Sequence, residues 1–300
     1  MKYLIHYFFT FILFTVFFFG CSTEKDKGSP EYIREVKQWD QKRISRLKEE
    51  TGWLNLVGLF WLKEGANSFG SANDNDIIFP SGPAHIGKFF LKDSVVTITV
   101  VPDVEVLNDG NPVTEMTLQD DNSENPTILK CSSLKWYIIK RTKGFAIRLR
   151  DLNAPLVKEF KGLERFPVNE DWKLNAKFVA YDPPKKMEVP DITGVIGEEL
   201  SPGKVSFSVD GKEYSLDAID AGKKLWFIFA DETSGKETYG AGRYLYADKP
   251  DSLRNMIIDF NFAYNPPCVF TKFATCPFPP KENYLKLRIT AGEKMWEGHH

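Results

Sequence analysis

Near the C-terminus, two stretches carry side chains able to do chemistry. The first is Thr238-Tyr239-Gly240-Ala241-Gly242-Arg243. The second begins at Asp259-Phe260-Asn261-Phe262-Ala263-Tyr264-Asn265-Pro266-Pro267-Cys268 and continues through Ala274-Thr275-Cys276-Pro277 to Pro279, Pro280 and Asn283. Arg243 has a planar fork suited to a carboxylate, so it could pair with Asp259 or hold an anionic substrate. Asp259, Asn261, Tyr264, Asn265 and Thr275 could converge on a ligand. Cys268 and Cys276 can be read as a disulfide, as free buried thiols or as a metal-binding pair, and a free Cys268 could serve as a nucleophile. The prolines fix φ and remove N–H donors, making this segment a stiff loop with candidate cis bonds after Asn265 and Cys276. The same residues also read as turn chemistry that only braces a crossover, with Arg243–Asp259 as a structural ion pair.

Other chemistries find little support. The chain has four histidines; His85 stands alone in a loop and His299 and His300 end the sequence. This argues against a His-based triad or a His-rich metal site, and no metal or cofactor is assigned. There is no phosphate-binding loop, dinucleotide fingerprint or nucleophile elbow. Asp231 with Glu237 could form an acid–base pair, but Asp231 to Gly235 reads as a turn. A net charge of −2, with acids and bases interleaved, leaves no basic stripe for nucleic acid.

The two stretches resemble the signature of the bacterial family catalogued as domain of unknown function 1684 (DUF1684). Thr-Tyr-Gly-x-Gly-Arg stands at 238–243, Asp-Phe-Asn-x-Ala-Tyr-Asn-Pro-Pro-Cys at 259–268, and Ala-Thr-Cys-Pro at 274–277, with prolines and Glu282-Asn283 behind. The likeness extends more loosely back to Gly52-Trp53-Leu54. It implies a family and no activity.

The N-terminus assigns a compartment. Lys2 precedes an apolar run, Tyr3 to Phe19, that ends at Gly20-Cys21. The run is shorter than the roughly 20 apolar residues of a membrane-spanning helix and has the order of a secretory signal. A small residue followed by Cys resembles the bacterial lipoprotein signal, in which Cys21 would carry a diacylglycerol. Each buried methylene contributes about 0.8 kcal/mol, so several acyl chains would anchor the protein in the cell envelope. Residues 1–20 are thus expected to be a signal peptide and residues 21–30 a lipid-anchored tether.

The elements that must position the motif are mainly β. Residues 31–50 predict a helix, with Ile33, Val36, Ile44 and Leu47 on one face. Alternation at Val96, Ile98 and Val100, and a hairpin signal at Asn108-Asp109-Gly110-Asn111, predict a sandwich-like unit within residues 31–152. Alternation at Val205, Phe207 and Val209, and the apolar run Leu225 to Ala230, predict an antiparallel barrel or curved sheet within residues 153–296. The function expected is an exported, lipid-anchored protein that binds a small molecule or an envelope component. A carboxylate- or thiol-dependent enzyme and a structural envelope protein are the alternatives.

Overall fold

The structure, a computed structural model, describes residues 25–298. The expected export signal and Cys21 lie outside the described residues. Helix α1 spans Pro30–Lys48. Its start is written locally: the Ser29 side chain accepts a hydrogen bond from the Tyr32 N–H and Pro30 occupies the first turn. Its end is fixed at Gly52, where an added Cβ would lie 2.2 Å from the Leu47 carbonyl oxygen.

The fold is mainly β, with 45% of residues in strands. The first β unit pairs two sheets. One runs in the order Ile77–Ile78, Gly65–Gly70, Gly87–Lys92, Val95–Val100, Glu115–Leu118. The other runs Leu56–Trp61, Gly144–Asp151, Leu134–Arg141, Leu129–Cys131, Leu107–Asn108, Asn111–Pro112. Phe89, Val96 and Ile98 from the first meet Trp136, Ile138 and Ile147 from the second in one core. Period-two alternation places these residues inward and their neighbours outward. Asp109 and Gly110 both take positive φ at the predicted hairpin, as a tight two-residue turn requires.

The second unit contains a curled four-stranded sheet, in the order Lys212–Asp217, Ile196–Val209, Lys173–Pro190, Asn255–Asp259. A three-stranded sheet of Ile219–Ala221, Lys224–Phe229 and Arg243–Asp248 shares its core through Phe207, Phe227, Phe229, Leu245 and Ile258. Phe227, Ile228 and Phe229 are all fully buried, as the unbroken apolar run predicted. The long hairpin of the curled sheet reaches the motif loop at its tip. There the Ile192 N–H bonds the Cys276 carbonyl and the Phe278 N–H bonds the Pro190 carbonyl. The cis bond lies at Asp182–Pro183, not after Asn265 or Cys276.

Two placements depart from the sequence reading. Helix α1, grouped there with the first β unit, packs on the second. Tyr32 and Val36 meet Val168 and Phe262, and Leu47 meets Phe160, Val269 and Phe270. The chain ahead of the helix is also held: the Lys27 N–H bonds Val168, and the Glu170 N–H bonds the Lys27 carbonyl.

Candidate functional site

The motif residues divide into a buried brace and the wall of an open groove. Arg243 is fully buried at the start of its strand. Its Nη2 donates to Asp231 Oδ2 at 3.3 Å and to the Ile289 carbonyl at 3.2 Å, and its Nη1 donates to the Ala291 carbonyl. The expected Arg243–Asp259 pair is therefore replaced by Arg243–Asp231. The turn at Asp231 explains the exchange. Thr233 and Ser234 donate to Asp231 Oδ1, while the Ile289 N–H donates to Oδ2 at 2.8 Å. One carboxylate thus closes its own turn and ties strand Arg243–Asp248 to the C-terminal segment. Glu237 instead meets Arg288 at the surface, so Asp231 and Glu237 form no acid–base pair.

Asp259 takes a different partner. Tyr32 Oη of α1 donates to its Oδ2 at 2.7 Å, and the Asn261 N–H and Nδ2 both donate to its Oδ1 at 3.0 Å. Burial pushes the Asp259 carboxyl above its usual range, against the pull of these donors. Asn261 completes the clasp by bonding both backbone groups of Asn169. Asn265 is held at three groups: its N–H meets Glu293 Oε2 at 2.7 Å, its Nδ2 meets the Lys294 carbonyl, and its backbone carbonyl accepts from Arg43 of α1, while its Oδ1 is buried without a hydrogen-bond partner among the described residues.

Cys268 and Cys276 are free, buried thiols held side by side. The Cys268 N–H donates to Cys276 Sγ at 3.0 Å. The pair shares protons unequally. A hydrogen bond from Cys276 lowers Cys268, with the Tyr239 hydroxyl assisting, and the same coupling, with burial, pushes Cys276 far up. No group of three or more metal-ligating side chains occurs among the described residues. Thr275 turns toward the first β unit, where its Oγ1 accepts from Arg148 Nη2 at 3.4 Å.

Tyr264 joins Asp259 at an open groove of about 680 Å³ between α1 and the second β unit. Glu35, Trp39 and Arg46 come from the helix, and Lys173, Lys224, Tyr246 and Asp248 from the sheets. Cross-strand pairing stacks the aromatic wall. Tyr246 lies opposite Trp226 with centroids 6.1 Å apart, and Tyr264 stacks on Tyr246 at 6.2 Å. The Arg43 guanidinium closes the row 4.7 Å from the Tyr264 centroid. Burial raises the Tyr264 hydroxyl well above its usual range, so it remains a neutral donor. Of the eight residues singled out by sequence, only Asp259 and Tyr264 line this groove. Trp39, Tyr246 and Lys173 were missed; in the sequence only the exposed aromatic phase of Arg243–Asp248 hints at Tyr246.

No curated protein matches the chain. A solution NMR structure of an uncharacterized protein from Haloarcula marismortui is 28% identical, with a TM-score of 0.40, covering 48% of this chain and 82% of that one. The second β unit with its braced C-terminal segment, residues 158–294, matches the model of the family described as Protein of unknown function (DUF1684).

Proposed function

We propose that the protein is an exported, lipid-anchored protein of the bacterial cell envelope that binds a small molecule or envelope component in the groove under α1. The observation that carries this reading is the groove lining. It combines accessible aromatic rings, Trp39 and Tyr246, with charges of both signs. Binding sites have this composition: apolar surface for affinity, and a few polar groups for orientation. The burial of Arg243, Cys268 and Cys276 supports binding over thiol or carboxylate catalysis, because Arg243 is engaged with Asp231 and backbone carbonyls and the two cysteines with each other. The anchor rests on the Gly20-Cys21 junction after an apolar run.

An unbiased thermal-shift screen of the full chain tests the binding. A specific hit should vanish in Tyr246→Ala, whose side chain is exposed and whose loss leaves the brace intact. A hit unaffected by Tyr246→Ala and by Trp39→Ala would place binding elsewhere. The anchor is tested by metabolic labelling with an alkyne fatty acid, which should mark the wild type and not Cys21→Ala.

A further inference from the structure

A second pocket, of about 350 Å³, lies on the first β unit, with no lining residue from the DUF1684-matching segment. Its wall includes Pro126, Ile128 and the Tyr137 ring, and Arg150 stands in the same wall. Arg150 and its neighbour Arg148 are 7% and 6% exposed. They project from strand Gly144–Asp151 on the face opposite the sandwich core, which takes Ile147 and Leu149. Neither has a carboxylate within ion-pair distance among the described residues. The two acids at the pocket are already taken: Glu50 by Lys135, and Asp121 by a two-pronged contact from Arg141 at 2.9 and 2.7 Å. The Trp53 ring centroid lies 5.6 Å from the Arg148 guanidinium carbon and 5.8 Å from that of Arg150, a cation–π contact that offers some compensation without supplying an anionic partner.

Buried charge is ordinarily paired. The hydrogen bonds of Arg150 show which edge lacks a partner. Its Nη1 donates to the Gly52 carbonyl and to Asn55 Oδ1. Asn55 is itself clamped to the Glu49 and Glu50 carbonyls, each at 2.9 Å, so the guanidinium is fixed from behind. Nε and Nη2 make no hydrogen bond within the described residues and are not among the side-chain atoms sealed from solvent, so this edge stands open. That edge is the one that receives a carboxylate through two parallel bonds. We infer that this pocket is a second binding site, for a small monocarboxylate with an apolar body. The carboxylate meets the Nε/Nη2 edge of Arg150, and the body lies against Tyr137, Pro126 and Ile128.

The test is a fluorine NMR titration of the full chain in detergent, with empty micelles as the blank. The probes are 4-fluorobenzoate and its uncharged analogue 4-fluorobenzamide. The benzoate should bind at least tenfold more tightly than the amide. Arg150→Gln would also release the Gly52 and Asn55 contacts, so the deciding variant is Ile128→Glu, which puts a like charge at an exposed position in the wall. It should weaken benzoate binding at least tenfold while leaving the melting temperature unchanged. Tyr246→Ala, in the other groove, should leave benzoate binding as it is. Equal binding of the two probes, no binding of either, an unchanged benzoate affinity in Ile128→Glu, or its loss in Tyr246→Ala would overturn the assignment.

Discussion

Arg243 occupies a position where a cation has no access to water, and what surrounds it decides what its removal does. Arg243→Ala would leave Asp231 buried beside unpaired carbonyls at Ile289 and Ala291. Breaking a buried pair from one side costs about 3–5 kcal/mol. Urea unfolding should show that loss, and Asp231→Ala should lose much of the same energy, with the double variant far from additive. Asp259 makes a pH-dependent prediction. Its folded-state value is raised above the ordinary 3.8 by burial. Folded protein therefore holds this proton more tightly than unfolded chain. The associated stability is present at low pH and is lost as pH rises from the unfolded value through the folded one. Stability measured across acidic to neutral pH should accordingly fall less in Asp259→Asn than in wild type; an identical profile would show that Asp259 does not titrate in this way. At this scale the sequence paired Arg243 with Asp259, and the structure pairs it with Asp231. Asp231-Glu-Thr-Ser-Gly has the composition of a turn and is one, but a turn carboxylate has a second oxygen. Nothing local says that this oxygen faces an arginine twelve positions on.

Helix α1 is the element that turns a braced β unit into one with a groove. It contributes Glu35, Trp39 and Arg46 to the lining, and it is held from below by Tyr32, Val36 and Leu47. Leu47 is 1% exposed, so Leu47→Ala should cost about 2–5 kcal/mol, read from chemical denaturation. Ser29→Ala removes one cap and should cost about 1 kcal/mol. Strands and turns were legible because their signals are local: alternation fixes the buried face, and Asn108-Asp109-Gly110-Asn111 fixes the register of its hairpin. The helix itself was legible for the same reason. Its destination was not. An apolar stripe states that a face must be covered without stating which sheet covers it. The clasps that decide the matter, Tyr32–Asp259 and Arg43–Asn265, join residues more than two hundred positions apart.

Across the whole molecule, the two β units meet at strand Gly144–Asp151, which faces its own core on one side and Trp53 and Thr275 on the other. Local sequence cannot show that both faces of this strand are covered, because the arginines on its outer face look like solvent-facing positions. The contacts of residues 26–29 with the second unit have a consequence for geometry at a surface. Asp26 bonds the Val168 N–H, and Lys27 pairs in a bridge with Asn169. Only five peptide steps separate Cys21 from Asp26, a reach of about 17 Å at full extension. A lipid on Cys21 would therefore moor the body on a leash shorter than its own diameter. The end of α1 that carries Tyr32 and Glu35 would ride close to the headgroups, and the groove beside it would sample molecules diffusing in two dimensions along the bilayer. Inserting ten Gly and Ser residues before Lys25 should increase the distance from a donor dye on Tyr246→Cys to acceptor-labelled lipids, while leaving stability unchanged.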